Sequence, residues 1–135
     1  MESITNLADL SAALLAEYAA IFLWVDWAMQ ARESEALVQE VVDEASPETP
    51  IRFFRIDVSE QSGEVWTELR HWLRRERKDA DHLTYSGAGS LILARRGRVI
   101  STFVYPASRL PGGLTARELS QAIISMCRPT EPTAD

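Results

Sequence analysis

The stretch Ile21-Phe22-Leu23-Trp24-Val25-Asp26-Trp27-Ala28-Met29-Gln30-Ala31-Arg32 decides the fold. Its first five residues form a short apolar run, partly β-branched and aromatic, closed by Asp26, the pattern of a strand covered on both faces. Such a strand belongs in the middle of a sheet. From about Gln30 to Ala45 the apolar residues Leu37, Val38, Val41, Val42 and Ala45 fall on one helical face, while Glu33, Glu40, Asp43 and Glu44 point elsewhere. Acidic residues in the first turn suit the positive end of the helix dipole, and Ser46-Pro47 stops the helix. Ile51 to Val58, holding Phe53, Phe54 and Ile56, predicts a second strand. A strand, helix and strand of this length make parallel neighbours joined by a right-handed crossover.

Working outward, Thr5 or Asn6 can cap an earlier helix reaching about Tyr18, with Leu7, Leu10, Leu14 and Leu15 as one apolar stripe. Toward the C-terminus, Val65, Trp66, Leu69 and Leu73 predict a helix from Ser62 to about Lys78, followed by a polar loop over 79–89. Ser90 to Ala94 and Arg98 to Tyr105 flank Arg95-Arg96-Gly97, which predicts an antiparallel hairpin. After an irregular loop, Thr115-Ala116-Arg117-Glu118 has capping-box spacing and opens a last helix along Leu119, Ala122, Ile123 and Met126. The expectation is one α/β domain over 1–128, with a mixed four-stranded sheet flanked by helices, and a flexible tail over 129–135.

The totals agree with a single soluble domain. A chain of 135 residues, 46% hydrophobic and 25% charged, suffices for one hydrophobic core and not for two. The longest apolar run, Ala19 to Val25, is far below the roughly 20 residues that cross a bilayer. No Lys or Arg precedes Arg32, unlike the start of a secretory signal, so the expected location is the cytoplasm. Cys127 is the only cysteine; an intrachain disulfide and a two-thiol exchange mechanism are both excluded. It is expected to pack as a small apolar residue. The formal charge of −6 argues against nucleic-acid binding by the surface at large. His71 and His82 are the only histidines and His71 adjoins Arg70, so no metal centre and no cofactor is expected.

The element order, with Trp24, Trp27 and Arg32 in place, resembles the thioredoxin-like family, whose signature runs tryptophan, two residues, tryptophan, then Cys-x-x-Cys and a basic residue. Gly87-Ala88-Gly89-Ser90-Leu91-Ile92-Leu93 and Arg95-Arg96-Gly97-Arg98-Val99 are similar to the family's cis-proline loop, third strand and following turn, and Ile56-Asp57 to the end of its second strand. The resemblance covers about Leu7 to Met126. It implies that the two cysteine positions hold Ala28 and Ala31, that the buried carboxylate position holds Phe22, and that the cis-proline position holds Gly89. A thiolate at a helix N-terminus and a resolving thiol carry the family's exchange chemistry, and an alanine methyl replaces neither.

In that family the cysteine turn, the proline loop and the loop after the fourth strand line a groove that grips extended polypeptide. The resemblance implies such a groove around Trp27, Met29, Gln30, Gly89, Ser90 and Tyr105, with Trp27, Met29 and Tyr105 as anchors. Arg70, Arg74, Arg75, Arg77 and Lys78 add a basic stretch to an acidic protein, read either as a solvated helix face or as a docking surface for a polar or acidic partner. The expected function is a non-catalytic domain that binds another protein or an extended peptide. The alternative is a non-redox enzyme of the same superfamily that binds a small thiol such as glutathione.

Overall fold

The computed structural model describes residues 1–26, 29–45, 50–60, 62–76, 90–103 and 116–127. Nine elements follow one another: β1 (Glu2–Ile4), α1 (Leu7–Leu15), β2 (Tyr18–Trp24), α2 (Met29–Ala45), β3 (Arg52–Asp57), α3 (Glu64–Glu76), β4 (Leu91–Arg95), β5 (Arg98–Phe103) and α4 (Ala116–Cys127). They build one mixed sheet in the order β1-β3-β2-β4-β5. The strand expected at the centre is β2, parallel to β3 on one side and antiparallel to β4 on the other. The parallel β2-α2-β3 unit and the β4–β5 hairpin are both present.

The sheet has one strand more than the four expected from the sequence. β1 is three residues long and pairs in parallel with β3 from Glu2 opposite Phe54 to Ile4 opposite Ile56. So short a strand shows no periodicity. Its anchor is tertiary, since the Glu2 carboxylate accepts from Arg52 Nη2 at 2.6 Å and Nε at 3.0 Å, and the Arg52 guanidinium holds the Glu2 carboxyl below its usual range.

Alternation along β2 splits the core in two. Ala19, Ile21 and Leu23 pack with Ile4, Phe54, Ile56, Trp66, Leu69 and Trp72 beneath α1 and α3. Tyr18, Ala20 and Phe22 pack with Val38, Val41, Phe53, Leu91, Leu119 and Ile123 beneath α2 and α4. Both layers are closed, as the uniformly apolar β2 requires.

Two helix details differ from expectation. In α1, Asn6 is the N-cap and accepts from the Asp9 N–H at 2.8 Å, but Leu15 is 81% exposed while Leu10 and Ala13 are buried. At 100° per residue, Leu15 lies about 140° round the helix from Leu10, outside the buried stripe. In α2 the helix begins at Met29, so its first turn contains no acidic residue, and the positive end of its dipole lacks a compensating charge of its own.

The β4–β5 connection is a two-residue turn with φ of +49° at Arg96 and +79° at Gly97, the type I′ geometry that matches strand twist. A Cβ at Gly97 would meet the Leu14 carbonyl oxygen at 3.0 Å. Arg96 occupies a position that glycine or asparagine fills at about 1–2 kcal/mol lower cost. The turn is held by α1 and α3: the Arg96 N–H donates to the Ala16 and Glu17 carbonyls at 3.1 and 3.0 Å, and Trp72 Nε1 donates to the Gly97 carbonyl at 2.7 Å.

Candidate functional site

The candidate site lies where β2 and β3 end. Their ends are tied together: the Val58 N–H donates to the Trp24 carbonyl at 2.9 Å, and the Asp26 N–H donates to Ser59 Oγ at 2.8 Å. Ser59 is oriented by Asp57, whose Oδ1 accepts from both its N–H and its hydroxyl. From this edge the chain turns into α2, whose first residue, Met29, has 71% of its surface exposed. An unbranched, polarizable side chain standing free at a helix start is suited to an adaptable apolar contact.

Phe22, the position matched to a buried carboxylate, has no exposed surface and lies in the apolar layer beneath α2 and α4. No proton could be relayed through its ring. Ala31 lies in the opening turns of α2, as does Gln30. Ser90 was expected in the partner-binding patch, but it is fully buried and its carbonyl accepts from the Leu23 N–H at 2.9 Å. It positions β4 beside β2 rather than offering a surface. Trp27, Ala28, Gly89 and Tyr105 lie outside the described residues, as do Arg77, Lys78 and His82.

The basic helix does not stand beside Met29. α3 starts at the same sheet edge as α2 but runs away from it, and Glu76 at its far end accepts from the Val99 N–H at 2.9 Å, next to the β4–β5 turn. Arg74 and Arg75, exposed in the last turn of α3, are therefore at the opposite end of the molecule from Met29. Arg70 is midway, with its guanidinium 5.9 Å from the Trp66 ring centroid.

Two features at the carboxyl edge had no signal in the sequence. The Arg55 guanidinium lies 4.5 Å from the Trp24 ring centroid and reaches Glu35 Oε1 of α2 at 2.6 Å, so a stacked cation fastens the start of α2 to the sheet. Trp24 Nε1 is buried with no acceptor among the described residues. On the other face a cleft of about 340 Å³ opens over Ile56, Val58 and Trp66, with Asp26, Asp57 and Glu60 along its lining. The fold brings Asp26 after β2 and Trp66 of α3 up to the run from Ile56 to Glu60 that ends β3.

Cys127 is 1% exposed in the layer beneath α2 and α4, and burial pushes its thiol up to about 11. At neutral pH it is a protonated core residue. Among the described residues, no group of three metal-ligating side chains is close enough to hold an ion. No helix among them is long and apolar enough to cross a membrane.

The sheet order, the crossovers and the layer of helices on each face define a thioredoxin fold. Solved structures agree. The chain is similar to Trxlp from Edwardsiella tarda at 15% identity and a TM-score of 0.58, covering 91% of this chain and 98% of that one. It is similar to Fasciola hepatica thioredoxin at 14% identity and a TM-score of 0.58, covering 95% and 100%. Human ERp44 superposes with a TM-score of 0.62 at 17% identity over 93% of this chain and 29% of that protein. No protein-family model and no curated protein sequence matches the chain.

Proposed function

We propose that this protein is a thioredoxin-fold domain without thiol-disulfide oxidoreductase activity, and that it binds another protein or an extended peptide at the carboxyl edge of its sheet. The observation that carries this reading is the place of its single sulfhydryl. Cys127 is buried in α4 with a thiol pushed up to about 11, whereas exchange needs an accessible thiolate and a second thiol to resolve the mixed disulfide. The start of α2 instead offers Met29, and the family resemblance adds Trp27, Gln30, Gly89 and Tyr105 to the same edge. We assign the domain no cofactor, and a polypeptide rather than a membrane or nucleic acid as partner.

Affinity capture from native cell extract, followed by titration of the retained protein onto isotope-labelled chain, tests the reading. Amide shifts at Trp24, Val25 and Met29 to Arg32, together with release by Met29→Glu, support it. Shifts confined to the far end of the sheet, or retention by Met29→Glu, would remove the site. Saturable, stereospecific binding of glutathione at this edge would favour the small-thiol enzyme in its place.

A further inference from the structure

We propose that the end of the molecule opposite Met29, where the β4–β5 turn meets the C-terminal ends of α1 and α3, docks an acidic polypeptide segment that carries an apolar residue. This surface is separate from the carboxyl edge and does not depend on the reading given to it.

Two observations converge there. The first is charge. The hydrogen bonds of Arg96, Trp72 and Glu76 fold the turn against α1 and α3, which gathers Arg96 and Arg98 with the exposed Arg74 and Arg75 of α3. Among the described residues, Glu76 has its carboxylate occupied by the Val99 N–H and Arg98 at 2.9 and 3.3 Å, and Glu17 meets Arg96 only at 4.0 Å with the arginine side chain 71% exposed. A protein of net charge −6 thus concentrates arginine at one place. Forked guanidinium groups match carboxylates better than point charges do.

The second observation is apolar. Leu15, at the end of α1 and one residue before the Ala16 carbonyl that holds the turn, is 81% exposed. A large exposed aliphatic side chain next to an arginine-bearing turn has the layout of an interface anchor. It gives phosphate nothing to bind, which favours an acidic polypeptide over a nucleic acid.

The test uses a fluorescein-labelled synthetic peptide of about twelve residues, Glu-Glu-Leu repeated, and a control with glutamine for every glutamate. By fluorescence anisotropy at physiological salt, the full chain should bind the acidic peptide and not the control. The double variant Arg75→Gln with Arg96→Gly, the latter compatible with the turn, should bind about tenfold more weakly. Leu15→Gln should cost about threefold, while Gln39→Ala, at an exposed position of α2, should change nothing. Circular dichroism confirms that each variant is folded. Absence of binding, binding undiminished in the arginine variant, or sensitivity to Gln39→Ala alone would overturn the proposal. So would tighter binding of a single-stranded oligonucleotide or of phosphatidylserine vesicles through the same arginines.

Discussion

Gly97 and Cys127 show how single positions constrain this chain. At Gly97 a side chain would meet both a positive φ and the Leu14 carbonyl at 3.0 Å, so Gly97→Ala should lower stability by about 2 kcal/mol in urea denaturation. Arg96→Gly, relieved of the same backbone strain without the contact, should stay within about 1 kcal/mol of the parent. The Cys127 thiol is raised from 9.0 to about 11 by burial, so the unfolded chain loses its proton first as pH rises. The stabilising contribution of the protonated thiol is complete below about pH 9 and is lost as pH climbs through about 11. A comparison with Cys127→Ala isolates it: the parent should lose more stability than the variant across that window, and alkylation of native protein at neutral pH should be slow.

Among the elements, those with strong periodicity were legible in the sequence and those defined by contacts were not. β2, α2, β3 and α3 carry apolar patterns long enough to read, and the Arg96-Gly97 turn announces its hairpin. β1 escaped because three residues have no period and its pairing depends on Arg52, fifty positions away. The Glu2 carboxyl is lowered by that partner, so the pair contributes above the ordinary carboxylate pKa of 4.5 and fades as pH falls through the lowered value. Hydrogen exchange should therefore show β1 fraying before β2 once pH falls below the ordinary carboxylate range, and Glu2→Gln should remove the difference between neutral and strongly acid pH. Within β2, Phe22→Asp would place a charge in a layer with no exposed surface. It should cost about 4 kcal/mol at neutral pH, a deficit that narrows as the new carboxyl protonates.

For the molecule as a whole, sheet polarity separates two surfaces that the sequence places close together. Read along the chain, Arg74 and Arg75 lead into the loop before Ser90 and look like neighbours of the groove. In the fold, α3 carries them the length of the sheet to the β4–β5 turn. The positions Ala28, Ala31 and Phe22 were legible as departures from a familiar motif. The stack of Arg55 on Trp24, the bridge to Glu35 and the cleft beside Asp57 were not, because each joins residues from separate elements. The proposed function is polypeptide binding by a thioredoxin-fold chain without thiol exchange. Insulin reduction by the purified native chain, with dithiothreitol as electron donor, tests that most directly. Precipitation no faster than in a chain-free control is expected, and catalytic acceleration proportional to the amount of chain added would refute the proposed function.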